Sequence, residues 1–103
     1  MAEKIFRDLF LGFVRVHILY HAAKETVYGV DLMEELKRHG YQISPGTMYP
    51  ILHRLEEKGW LRSKRTPVNG KSRRYYQITP SGLVALDLAK KQAKELVDEI
   101  MEV

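Results

Sequence analysis

The stretch Ser44-Pro45-Gly46-Thr47-Met48-Tyr49-Pro50-Ile51-Leu52-His53-Arg54-Leu55-Glu56-Glu57-Lys58-Gly59 carries its own limits, and the rest of the chain must be built around it. Ser44 suits an N-cap, and Pro45 suits the first helical position, where its missing N–H forfeits nothing. Gly59 supplies the left-handed residue that ends a helix. Met48, Ile51, Leu52 and Leu55 recur at i, i+3, i+4 and i+7, one apolar stripe at about 100° per residue. The opposite face centres on Gly46, Pro50, His53 and Glu57, flanked by Thr47, Tyr49 and Arg54. Solvated helix faces are usually filled with Lys, Glu and Gln. This one gives up helix propensity, down to an interior proline that deletes a backbone hydrogen bond and is expected to bend or tighten the helix. Such a face is better explained as a recognition surface than as a poor helix rescued by packing.

Charge indicates what the surface meets. The chain is +4 overall, but between residues 53 and 80 eight Lys and Arg stand against Glu56 and Glu57, a local +6 that leaves −2 for the remainder. A field this localised suits a polyanion. Most of it lies on two runs, 62–68 and 71–79, joined by Asn69-Gly70, the strongest short signal for a hairpin turn. Leu61, Tyr76 and Ile78 are expected to face the core and Tyr75 the other side, with Lys64, Arg65, Lys71, Arg73 and Arg74 toward the tip. Lysines also protect solvated edge strands. Six positive residues and no acid from Arg62 to Arg74 favour phosphate contact over that reading.

Three further helices are expected. Residues 3–24 carry Ile5, Leu9, Phe13, Val16 and Tyr20 on one stripe, with Phe6, Phe10 and Val14 beside it. Two apolar strips imply either a second partner or a helix wholly inside the core, with equal weight. Thr26 is expected to cap a helix from Tyr28 to about His39, with Leu32, Met33 and Leu36 inward, a Glu34–Arg38 pair outside and Gly40 as the stop. Tyr41-Gln42-Ile43 reads as a short, extended link. Thr79-Pro80 opens the last helix, whose Leu86, Ala89, Ala93, Leu96, Ile100 and Val103 alternate steps of three and four, a heptad seam that argues for a homodimer.

Other chemistries find little support. With no cysteine there is no disulfide framework, thiolate zinc site or thiol nucleophile, and a reducing cytoplasmic setting is expected. Met1-Ala2-Glu3-Lys4 does not open a secretory signal, and Leu9–Val14, cut off by Arg15, is too short to cross a membrane, so no membrane partner is expected. His17 and His21, with Glu25 four residues on, have metal-ligand spacing, but histidines on an apolar helix more often pack, and no metal is expected. Gly-rich phosphate loops, Gly-x-Ser-x-Gly and His-Glu-x-x-His are absent. The adjacent acids at 34/35, 56/57 and 98/99 diverge by about 100° on a helix, so neither an enzyme nor a cofactor is expected.

Taken in order, these elements predict a mainly α (α+β) chain: a winged helix-turn-helix with a two-stranded β wing and a C-terminal dimerisation helix. Residues 1–79 form the DNA-binding part, including the N-terminal helix, and 80–103 the dimerisation helix, in a single structural unit. The motifs Tyr28-Gly29-x-x-Leu32, Ser44-Pro45-Gly46-Thr47-Met48-Tyr49-Pro50-Ile51-Leu52-x-x-Leu55-Glu56-x-x-Gly59 and Arg73-Arg74-Tyr75-Tyr76-x-Ile78-Thr79-x-x-Gly82 closely resemble the PadR family of bacterial and archaeal transcriptional regulators, over roughly residues 12–86. That resemblance implies a dimeric repressor that binds a near-palindromic operator and is often released by a small ligand. It assigns Ser44, Gly46, Thr47, Tyr49, Pro50 and Arg54 to the recognition helix and Lys71, Arg73 and Arg74 to the wing. Trp60 departs from the family's usual aliphatic residue and reads as a core plug under the wing.

The expected DNA contacts are these residues together with Pro45, His53, Lys64 and Arg65. The expected dimer contacts are Phe6, Phe10, Leu86, Ala89, Ala93, Leu96, Ile100 and Val103. From Leu83 onward there is no aromatic residue, so a flat effector has no stacking partner on that helix, although Phe6, Phe10 and Phe13 could line an inter-subunit cavity. A winged helix serving as a protein–protein or RNA-binding module is the alternative.

Overall fold

Helix α1 (Ala2–Lys24) leads through a two-residue strand β1 (Val27–Tyr28) into α2 (Gly29–Arg38) and α3 (Pro45–Glu57). Strands β2 (Leu61–Val68) and β3 (Lys71–Ile78) follow, and α4 (Pro80–Ile100) closes the chain. The computed structural model describes residues 2–102, with side chains from Phe6 onward. Ile5 lies outside the described side chains and Val103 outside the described residues.

Local chemistry accounts for most of the boundaries. At Gly59 (φ 81°), the Gly59 N–H donates to Glu56 O and the Trp60 N–H to Leu55 O, the paired bonds that consume the last carbonyls of α3. The same pair recurs after α2, where Gly40 N–H donates to Lys37 O and Tyr41 N–H to Leu36 O. Asn69 and Gly70 both take positive φ (53° and 77°), the turn whose twist matches two antiparallel strands. Thr79 caps α4 by accepting from the Gly82 N–H at 3.0 Å, and its hydroxyl donates to the Gly59 carbonyl. A Cβ on Gly82 would collide with the Trp60 carbonyl, so α4 starts hard against the junction of α3 and the wing.

Two caps differ from expectation. Ser44 sits at the N-cap of α3 with extended backbone, yet its hydroxyl donates to Thr47 Oγ1 at 3.3 Å and no backbone N–H is capped by it. Thr26 does not cap α2, whose N-cap is Tyr28; its hydroxyl accepts instead from Gln77 Nε2 at 3.0 Å. At Ser44 the hydroxyl turns to the neighbouring Thr47 side chain, and at Thr26 a donor brought by the sheet takes the oxygen that would have capped the helix. The outer face of α2 also pairs differently. Arg38 meets Glu35 at 2.7 Å, i to i+3, in place of the expected Glu34.

The sheet is antiparallel with order β1-β3-β2, so the wing hairpin gains a third strand absent from the sequence reading. Val27 pairs with Tyr76 and Tyr28 with Tyr75. Tyr41–Ile43 stays a non-strand link.

One core joins everything. Met48, Ile51, Leu52 and Leu55, the apolar stripe of α3, are all buried, with Leu32 and Leu36 of α2, Leu61 and Tyr76 of the sheet and Leu86 of α4. The inward side of α1 is Val14, Ile18, Leu19 and Ala22, whereas Leu9, Phe13 and Tyr20 of the expected stripe are exposed. Slim Val14, Ile18 and Ala22 form an i, i+4 ridge that fits the crowded centre, and the aromatic strip is left outside.

Candidate nucleic-acid interface

Because four inward side chains fix the rotation of α3, its other face is turned out. Ser44, Pro45, Gly46, Tyr49, Pro50, His53 and Arg54 are exposed, and Thr47 is half-buried. The helix runs unbroken through Pro50, which has no N–H to offer the Gly46 carbonyl, so an acceptor is left on the exposed side. Tyr49 lies back over the start of α2: a Cβ on Gly29 would stand 2.7 Å from its hydroxyl. Thr47 Oγ1 receives the Ser44 hydroxyl and, at the long end of hydrogen bonding (3.5 Å), Arg7 Nη2 of α1. His53 Nε2 lies 3.8 Å from Glu57 Oε1 along the same face.

The hairpin register divides the wing's charges between two faces. Ser63 stands opposite Tyr76 and Arg65 opposite Arg74, so Leu61, Ser63, Arg65, Arg74, Tyr76 and Ile78 share the side turned toward α3. Lys64, Lys71 and Arg73 occupy the other side, with Tyr75, whose ring meets Tyr28 edge-on at 6.1 Å. All five expected basic wing residues are exposed. Arg65 and Arg74 line a cleft of about 380 Å³ with Tyr28, Gly29 and Tyr49, so α3 and the wing form a continuous surface.

A hydrogen-bonded chain holds the two together. Arg74 Nη1 donates to Ser63 Oγ at 2.7 Å, and the Ser63 hydroxyl lies 2.9 Å from both carboxylate oxygens of Glu56 on α3. Arg74 thus has a structural partner, but a guanidinium carries five donors and others remain free. Burial pushes the Tyr76 phenol above its ordinary range despite nearby Arg74, leaving it neutral beneath this surface. Arg7, Ser63 and Glu56 are not among the contacts expected from sequence. Arg7 meets Thr47 across forty residues, and no periodicity carries that information.

The expected dimer residues fall into two groups. Leu86 is buried within the chain's own core (3% exposed) and is therefore not free for a partner; the seam turns inward at that end because α4 packs there on α1. Ala89 is half-buried, and Ala93, Leu96 and Ile100 are exposed, as is every described residue from Lys90 on. On α1, Phe6 is 68% exposed and Phe10 half-buried against Tyr41, with ring centroids 4.9 Å apart. Leu88, Val97 and Met101, outside the predicted seam, are also exposed. No helix among the described residues is long and apolar enough to cross a membrane.

Known proteins share this arrangement. The chain matches the family described as "Transcriptional regulator PadR-like family" over residues 18–88. It is 50% identical over 88 residues to the "Transcriptional regulator Rv3488" of Mycobacterium tuberculosis, covering 85% of this chain and 82% of that protein. In three dimensions it resembles a PadR family transcriptional regulator from Eggerthella lenta (TM-score 0.84, 31% identity, 96% of this chain and 88% of that one). It likewise resembles a PadR-like regulator from Bacillus cereus (TM-score 0.79, 29% identity, 93% and 98%). Four helices with a small antiparallel sheet, the three sequence motifs and these likenesses lead to one conclusion: the chain belongs to the PadR-like family of transcriptional regulators.

Proposed function

We propose that this regulator is a cytoplasmic homodimeric repressor that reads a near-palindromic operator in double-stranded DNA. The supporting observation is the continuity of the outward face of α3 with the wing through the cleft shared by Tyr49, Arg65 and Arg74. In this reading Gly46 and Thr47 let the start of α3 approach a phosphate closely, Tyr49, His53 and Arg54 reach base edges in the major groove, and Ser44, Pro45 and Pro50 shape that contact. Lys64, Arg65, Lys71, Arg73 and Arg74 bind the backbone without regard to sequence.

The dimer is supported by the apolar side chains that the single chain leaves in water. Phe6, Leu9 and Phe13 on α1 and Leu96, Val97 and Ile100 on α4 are each about half exposed or more. Burying one such side chain contributes about 1.5–3 kcal/mol, and every described residue of α4 from Lys90 on is exposed. Two copies paired through α4 and α1 bury both strips and bring two recognition helices to a spacing of about 34–36 Å, one turn of duplex. Fluorescence anisotropy with the gene's own upstream duplex, a scrambled duplex and a structured RNA tests the reading. The first should bind at least about a thousandfold tighter than the second. Equal affinity for all three would favour the RNA-binding or protein-docking use of the fold.

A further inference from the structure

We propose that His17, His21 and His39 form a binding site for one divalent transition-metal ion, Zn²⁺ by donor chemistry, with the Glu35 carboxylate beside it. Three of the chain's four histidines converge here from separate elements: His17 and His21 one turn apart on α1, and His39 at the C-cap of α2. One ligand nitrogen from each lies within 4.8 Å of the others. A tetrahedral zinc with bonds of about 2.0–2.1 Å needs nitrogens about 3.3 Å apart, within reach of small ring rotations. The rings of His17 and His39 face each other at 27° with centroids 4.9 Å apart, and His21 lies 5.7 Å from His39.

His21 is the least ordinary member. It is 92% buried, since only 8% of it is exposed, and its Nε2 has no hydrogen-bond partner. A buried polar atom left unsatisfied carries a desolvation penalty that a bound cation would remove. Glu35 Oε1 stands 3.8 Å from His39 Nε2, positioned to complete the shell or to orient that ring. The cluster opens on a groove of about 450 Å³ between α1 and α4, which gives an ion an entry path. Imidazoles with one carboxylate and no thiolate suit Zn²⁺, Co²⁺ or Ni²⁺ and not the oxygen-seeking Mg²⁺.

The ion would tie α1 to the end of α2, the residue before the turn that leads into α3. The metal would therefore set the angle between the dimer helix and the recognition helix, and operator affinity would change with occupancy. This second step rests on the DNA-binding reading above, whereas the site itself does not.

Calorimetry on the full, EDTA-treated chain tests the site with ZnCl₂ and MgCl₂ as probes, together with Co²⁺ absorption spectra. One Zn²⁺ per chain is expected, no response to Mg²⁺, and an affinity lower by about tenfold or more in His39→Ala and in His17→Ala, whose side chains are not fully buried. The tetrahedral Co²⁺ bands should vanish in His39→Ala. No Zn²⁺ binding at micromolar concentration, or binding unchanged in both variants, overturns the site. Operator affinity should then shift by about fivefold or more with Zn²⁺ in the wild type and not in His39→Ala. Equal shifts overturn the coupling alone. Failure to bind DNA in either metal state overturns the DNA reading, and the calorimetric result for the site stands independently of it.

Discussion

The Ser63 hydroxyl reaches both carboxylate oxygens of Glu56 at 2.9 Å, and through this contact the first strand of the wing is fastened to α3. The Ser63 N–H adds a third bond to Glu56 at 3.3 Å, and Arg74 joins from the neighbouring strand. Hydrogen bonds to a charged group contribute about 1.5–3 kcal/mol when buried, and less here because the site is partly solvated. Ser63→Ala is expected to cost about 1 kcal/mol in urea unfolding and to weaken operator binding several-fold by freeing the wing. Operator affinity equal to that of the wild type would mean that the link does not position the wing.

Gly29 controls Tyr49. A methyl at residue 29 meets the tyrosine hydroxyl and Cε1 at under 3 Å, and since these atoms are the far end of a side chain that is 39% exposed, the ring is what moves. Gly29→Ala should leave the thermal midpoint nearly unchanged while reducing discrimination between operator and scrambled DNA, by an amount approaching that of Tyr49→Ala. Removing a base-reading side chain costs about 1–3 kcal/mol, roughly ten- to a hundredfold in affinity. Unaltered discrimination in both variants places the reading face elsewhere.

Lys71 and Arg73 lie on the wing face turned away from Arg74 and near the hairpin tip. Replacing both by Ala should weaken specific and non-specific duplexes alike. It should also flatten the log–log salt dependence by about 0.9 for each phosphate no longer neutralised. Titrations between low and moderate salt read this slope directly, and an unchanged slope rejects the wing as a phosphate-binding element.

Leu96 is 51% exposed on the free half of α4. In a dimer that buries this seam, Leu96→Asp puts an unpaired carboxylate into it from each side, and the dissociation constant should rise about a hundredfold or more. Operator binding should fall with it although no DNA-facing side chain has changed. Sedimentation at micromolar protein decides the matter: a monomeric wild type, or a variant that stays dimeric and binds normally, contradicts the proposed assembly.

Helix limits, the buried face of α3 and the wing turn, each set by backbone geometry or periodicity over a few neighbouring residues, could be read from the chain itself. Pro45 and Gly59 bracket α3 because proline and glycine act through their own backbone geometry, and its four-residue apolar stripe predicted the buried face because helical periodicity is local. Asn69-Gly70 set the wing turn for the same reason. The tertiary structure alone decided contacts between segments far apart in sequence. Val27 and Tyr28 become a strand only because Tyr76 and Tyr75 offer them a ladder, and two residues are too few to carry an alternating pattern. Thr26 finds Gln77 fifty-one positions away. Leu86 and Leu96 look equivalent in the heptad pattern, yet one is covered by its own chain and the other is not, since burial depends on where α1 ends up beneath α4. His39 joins His17 and His21, in place of the Glu25 that helical spacing suggested, because the turn after α2 folds back onto α1.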